Sequence, residues 1–125
     1  MHYGTVVNGS EPTIDLTMIS INGESVEVEF AVDTGFTDDV TLPFDIIEQL
    51  NLPINRDVQL VMADGAVYVG QAYTGWVLWH ERVRRIDVIS VDSTPLIGMR
   101  LLSGSNLSVD AEPDGLVTIT ELAAR

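Results

Sequence analysis

The sequence contains no cysteine. That removes a disulfide framework, a thiolate nucleophile and a Cys-ligated zinc. Lysine is absent too, and all six basic residues are Arg. They face 19 acids, for a formal net charge of −13. A chain so poor in positive charge excludes a nucleic-acid partner, whose phosphates need a basic surface. The acids are spread along the chain rather than gathered in a tail, which reads as a solvated acidic surface. No apolar run approaches the ~20 residues of a membrane-spanning helix. Met1-His2-Tyr3-Gly4-Thr5 has no basic stretch followed by an apolar run, so no signal peptide is expected. The expected setting is the cytoplasm, with no membrane partner. Histidine is scarce: His2 and His80 lack ligand-like spacing, and both read as ordinary surface residues with no metal. No cofactor is expected either.

What remains is strand-rich. The 125 residues suit a single domain, 1–125, with enough apolar content for a core. Thr13 to Ile19 alternates loosely. Asn22-Gly23 follows, and then Ser25 to Val32 alternates strictly, with Val26, Val28, Phe30 and Val32 on one side and Glu27 and Glu29 on the other. Asn-Gly between two such runs predicts a hairpin with a type I′ turn. Val40-Thr41-Leu42 predicts a short strand. Pro43 opens a helix whose apolar face is Phe44, Ile46, Ile47 and Leu50, and Asn51-Leu52-Pro53 stops it. Val58 to Met62 and Ala66 to Val69 flank Asp64-Gly65, a second hairpin signal. Tyr73 to Trp79 continues as strand, His80-Glu81 turns, and Val83 to Val91 returns. Trp76 and Trp79 are expected to pack in the core or an interface. Arg82, Arg84 and Arg85 read as a solvated face able to pair with acids. Met99 to Leu102 predicts a short helix ending near Gly104. Asn106 to Asp110 and Leu116 to Thr120 make a last strand pair around Pro113-Asp114-Gly115. The sum is an all-β chain, a closed or nearly closed barrel with one or two short helices.

The chemistry concentrates at Asp33-Thr34-Gly35, placed where the alternating strand ends. Burial disfavours the charged form of a carboxylate, so an acid held at the end of a buried strand is suited to proton transfer. A turn acid satisfied by backbone amides has the same local sequence. Asp38-Asp39 follows closely and reads as a solvated loop.

Four segments carry a resemblance. They are Ala31-Val32-Asp33-Thr34-Gly35-Phe36-Thr37, Leu42-Pro43, Met62-Ala63-Asp64-Gly65 and Pro95-Leu96-Ile97-Gly98-Met99-Arg100-Leu101-Leu102. Together they resemble the retropepsin-like aspartic proteases, most of all the small single-domain bacterial members. The resemblance spans about Thr13 to Thr120. It implies the acid-protease fold with one lobe per chain, and an aspartic endopeptidase, a hydrolase of peptide bonds. It also implies a C2 homodimer, because a single Asp-Thr-Gly supplies one of the two carboxylates the reaction needs. Asp33, Thr34 and Gly35 would then be catalytic: Asp33 as the acid–base, Thr34 bracing the two loops, Gly35 allowing close backbone approach. Phe36, Thr37, Ala63, Asp64, Gly65, Ile97 and Gly98 would border a peptide or protein substrate. Asp64-Gly65 would tip a flap, and Leu96-Ile97-Gly98 would pack behind the Asp33 loop. Phe36 departs from the pattern, standing where many retroviral and pepsin-like relatives carry Ala, Ser or Thr. A catalytically weak or inactive dimeric peptide-binding or scaffolding module on the same fold is the alternative, and an acidic interaction protein acting through surface charge is a third.

Overall fold

A computed structural model of the chain describes residues 1–61 and 63–123. Met62, which the sequence places at the end of a strand and within the resembling segments, lies outside the described residues.

The two alternating runs form the heart of the sheet. Strands β1 (His2–Val7), β2 (Glu11–Ile19) and β3 (Ser25–Val32) are sequential antiparallel neighbours. Ile14 pairs with Phe30, Leu16 with Val28 and Met18 with Val26. Five of these six side chains are buried and Val26 is partly so, while Glu27 and Glu29 point to solvent. Each fully buried apolar side chain contributes about 1.5–3 kcal/mol. A one-residue slip would exchange the two sets, so the alternation fixes the register. β1 extends the sheet at a segment that the sequence reading leaves unassigned.

The chain then makes β4 (Val40–Leu42), helix α1 (Phe44–Gln49) and β5 (Ile54–Val61). Next come β6 (Val67–Trp79), β7 (Arg82–Ser90) and β8 (Leu96–Ile97). Helix α2 (Met99–Leu102), β9 (Ser105–Val109) and β10 (Leu116–Glu121) complete it. The strand order is β5-β6-β7-β4-β8-β3-β2-β1-β10-β9, and a further pairing of β6 with β2 returns the sheet on itself. The result is a ring of strands rather than a regular barrel. Among the described residues, only Met18↔Val77 and Ile19↔Trp76 pair β6 with β2, and only Val40↔Ile97 pairs β4 with β8. Phe30, Leu42, Val88, Ile97 and Leu101 fill its interior. Trp79 is buried and Trp76 packs partly buried against the core, as expected of them.

Two turns fall where the sequence places them, but with unexpected geometry. Asn22-Gly23 does not form a type I′ turn. Only Gly23 takes a left-handed φ (+86°), and Ser20 N donates to Glu24 O at 2.7 Å, so the hairpin closes over three residues. Ser20 Oγ accepts from Asn22 N and Glu24 N, and this side-chain competition selects the longer loop. His80-Glu81, with no glycine, has both residues left-handed at φ +51° and +67°, between paired Trp79 and Arg82. That is the two-residue geometry that asparagine and glycine favour. It is held in place by packing: the His2 ring stacks on Trp79 with centroids 4.6 Å apart, and His80 N donates to His2 Nε2 at 3.1 Å.

Neither histidine is therefore an ordinary surface residue. His80 is buried, with Nε2 2.7 Å from Ser105 Oγ. Burial, the nearby His80 and the chain's amino terminus push His2 down to about 4. Burial likewise lowers His80, against the pull of Glu121. Among the described residues no group of acids and histidines has the arrangement to hold a metal ion.

Candidate active site

Strand β3 delivers Asp33 to the site. It runs parallel to β8, with Ala31 opposite Leu96 and Val32 opposite Ile97. The ladder continues one step past the strand, because Asp33 N donates to Ile97 O at 2.9 Å. The chain then folds back on the acid's own side chain. Gly35 N donates to Asp33 Oδ1 at 2.9 Å, and Phe36 N donates to Asp33 O at 3.1 Å. A Cβ at position 35 would lie 3.2 Å from Asp33 Oδ1, so glycine gives the amide its close approach. One carboxylate oxygen is thus fixed by the turn. Among the described residues nothing hydrogen-bonds the other, nor the Thr34 hydroxyl.

The loop from Asp33 to Asp39 is mounted on the start of α2. Gly98 N donates to Asp39 O at 2.8 Å, Met99 N to Phe36 O at 2.8 Å and Arg100 N to Asp38 O at 3.3 Å. These are amide groups that a helix start leaves without internal partners. Position 98 must be glycine for space rather than for dihedral angle. Its φ is −107°, and a Cβ there would sit 2.2 Å from Asp38 O and 2.6 Å from the Phe36 ring.

Asp38-Asp39 is not the solvated pair expected. Asp39 is 4% exposed; its Oδ2 accepts from Asp87 N at 2.9 Å, and its Oδ1 has no partner. Burial pushes the Asp39 carboxyl above its ordinary value of 3.8, against that hydrogen bond and the nearby Arg84 and Arg100. Asp38 is half-buried with Arg100 Nη1 at 3.1 Å. Arg100 also approaches Asp87 Oδ2 at 3.3 Å, and Arg56 reaches the same oxygen at 2.7 Å. The Arg56 guanidinium is held above its ordinary value by its hydrogen bond and charge pairing to Asp87. Arg100 thus ties the far side of the loop to Asp87 on β7, which Arg56 also holds from β5. The exposed Arg82 pairs with Glu121, as expected of a solvated arginine.

In front of the loop lies a groove of about 1100 Å³. Asp33, Gly35 and Phe36 form one wall. The β5–β6 hairpin overhangs it, contributing Val61, Ala63 and Val69. Phe44, at the first turn of α1, and Asp92, after β7, border it further. Asp33 is half-buried in the single chain, more open than an acid inside a core. The groove explains this: the strand's inward pattern ends at Val32, and the next residue emerges at its edge.

The sequence-derived site is brought together in part. Asp33, Gly35, Phe36 and Ala63 line the groove. Thr34 and Thr37 are exposed on the loop and do not line it. Asp64 and Gly65 sit at the exposed hairpin tip, where Gly65 takes φ +85° and Ala66 N donates to Asp64 Oδ1 at 2.9 Å. Ile97 and Gly98 lie behind the loop: Ile97 is fully buried, and neither lines the groove. Phe44, assigned to the helix's core face, is 53% exposed. Ile47 and Leu50 take the core contacts, and the first turn projects to the groove instead. Gln71, Tyr73 and Ser90 to Ser93 also line the groove without having been singled out. Their only sequence signal is position, on the strand that leaves the hairpin and on the segment before Leu96.

No family model matches the sequence, and no curated protein does. Among solved structures, a retropepsin-like aspartic protease from Rickettsia conorii aligns over 98% of this chain and 94% of its own, with a TM-score of 0.58 and 19% identity. The fold is retropepsin-like. The alignment runs over nearly the whole of both chains, so the likeness is one of the entire fold and not of a fragment. Among the described residues no helix is long and apolar enough to cross a membrane.

Proposed function

We propose that the chain is an aspartic endopeptidase completed by homodimerisation. The observation that carries this is the Asp33 carboxylate, held by Gly35 N at the wall of a hairpin-covered groove on a retropepsin-like fold. One chain offers one such acid. A two-fold axis through the exposed Thr34-Gly35 tip brings a second Asp33 beside the first, and leaves each Thr34 hydroxyl free to bond across. Two carboxylates at that distance share one proton and titrate as a pair. The ionised member takes a proton from water as it attacks the peptide carbonyl, while the protonated member donates to the carbonyl oxygen. The resulting tetrahedral species collapses with proton transfer to the leaving nitrogen, without a covalent enzyme intermediate. The peptide lies extended beneath the hairpin, bonded largely through its main chain.

The test is cleavage of a peptide library at mildly acidic pH by the wild-type protein and by Asp33→Asn. The reading holds if turnover disappears in the variant while the fold persists. It fails if turnover is the same in both, or if the protein stays monomeric at concentrations where it cleaves.

A second reading, a dimeric peptide-binding module, is favoured by Phe36. Phe36 shares the groove wall with Asp33 and offers no hydroxyl to bond the carboxylate. Peptide binding without cleavage across a broad pH range would select it.

A further inference from the structure

The groove has an uneven chemistry. Four apolar side chains border it while remaining largely open to solvent or only half-covered: Val61 at 75% exposed, Val69 at 73%, Phe44 at 53%, and the half-buried Phe36. Large apolar groups gathered around one concavity mark a surface that a ligand covers. The charged groups of the same groove are all of one sign. Its described lining contains two carboxylates, Asp33 and Asp92, and no arginine. Asp92 is exposed, on the segment between β7 and β8. Among the described residues its carboxylate makes no hydrogen bond or ion pair. Arg56 and Arg100 are committed to Asp87 and Asp38 behind the loop, and Arg82 to Glu121. The chain's own −13 charge adds a long-range field of the same sign.

We infer that the groove selects peptides in which an apolar side chain is accompanied by a basic one, and that Asp92 is the residue that reads the basic side chain. This rests on the groove being a peptide site, as proposed above. The apolar side chain covers the Phe44–Val61–Val69 surface, and the lysine or arginine snorkels along it to place its charge at Asp92. An acidic residue in the same place meets an uncompensated carboxylate and the chain's field. The pair is solvent-exposed, so each charge change is worth a few-fold rather than orders of magnitude.

The experiment uses peptides with a fixed Phe-Leu core, in which Lys, Gln or Glu is placed at each flanking position in turn. For the wild-type protein, kcat/KM at the best position follows Lys above Gln above Glu, with about a tenfold span from Lys to Glu. In Asp92→Asn the span falls to about threefold, and 0.5 M salt compresses the wild-type span in the same way. The same peptides are titrated by fluorescence polarisation against Asp33→Asn, where the order of affinities repeats the order of kcat/KM. Cleavage that ignores the flanking charge, or a span unchanged in Asp92→Asn, overturns the assignment. Absence of all cleavage with the affinity order intact removes the peptidase reading and leaves the selectivity standing. Absence of any order in binding removes the selectivity.

Discussion

Asp33 and Asp39 stand six positions apart on one loop, and the fold treats them oppositely. Asp33 is half-exposed in a groove, with one oxygen fixed by Gly35 N and the other open. Asp39 is buried, with one oxygen fixed by Asp87 N and the other facing no partner. Each carboxylate accepts a single backbone amide, so the difference is where the second oxygen points. A carboxylate whose free oxygen faces a groove is available for proton transfer with a ligand. One whose free oxygen faces the protein shifts its own protonation and does nothing outside. Chemistry at this loop is therefore decided by the mount on α2 and not by the acid itself.

The largest expected effect tests the first half of that contrast. Asp33→Asn lowers peptide turnover by about 10²–10⁴-fold, the range general acid–base groups supply. Its melting temperature stays within a few degrees of wild type, because the side-chain oxygen can still accept from Gly35 N. Steady-state kinetics and a thermal melt on the same sample check both halves. Gly98→Ala attacks the mount instead. A Cβ at 2.2 Å from Asp38 O forces the loop off α2, at a cost of about 2–4 kcal/mol in a urea titration, and turnover falls with it.

His2 sharpens the comparison, because it titrates in the pH range where an acid peptidase would be assayed. His2 in the folded protein lies at about 4 against an ordinary 6.5. The folded value is depressed, so the unfolded chain binds the proton first. Stability is fully present above pH 6.5 and is lost as pH falls through about 4. With His2 only half-buried, the loss comes to about 1–2 kcal/mol. Melts between pH 7 and pH 4 show this slope, and His2→Gln flattens it. A fall in activity that follows the melt reports unfolding; one that survives in His2→Gln arises elsewhere.

The smallest effect is at Asp39, whose folded value is raised. That contribution to stability is full below pH 3.8 and is lost as pH climbs through the folded value. Asn imitates the protonated acid at every pH. The melting temperature of Asp39→Asn relative to wild type therefore rises with pH above 3.8, while turnover changes less than about threefold. A difference that shrinks with pH would reverse the assignment of the two acids.

Much of the fold is legible because alternation is a strong local signal. Ser25 to Val32 is a strand with the faces its pattern assigns, and Val40 to Leu42 and Met99 to Leu102 begin and end where their sequence indicates. Turn chemistry is less reliable. Asn22-Gly23 gives up its two-residue turn to the Ser20 hydroxyl, and His80-Glu81 adopts one under the pressure of a histidine far away in sequence. The site divides along the same line. Asp33 and Gly35 are visible because the bonds that turn the chain at the carboxylate, from Gly35 N and Phe36 N, are local. Phe44 and Asp92 are not, because only the folded sheet sets them around one groove. Asp39 is misread as solvated for the same reason: its partner, Asp87 N, comes from a distant strand.

The amide of Asp33 closes on Ile97, and the carbonyls that follow close on Gly98, Met99 and Arg100. Every anchor of the loop thus lies on the far side of the β5–β6 hairpin in chain order. During synthesis the strand bearing Asp33 emerges early, but its foundation is translated only after seven strands have left the ribosome. Contacts so distant in sequence are slow to form. A nascent chain therefore carries its acid without the architecture to aim it until β8 and α2 have been made.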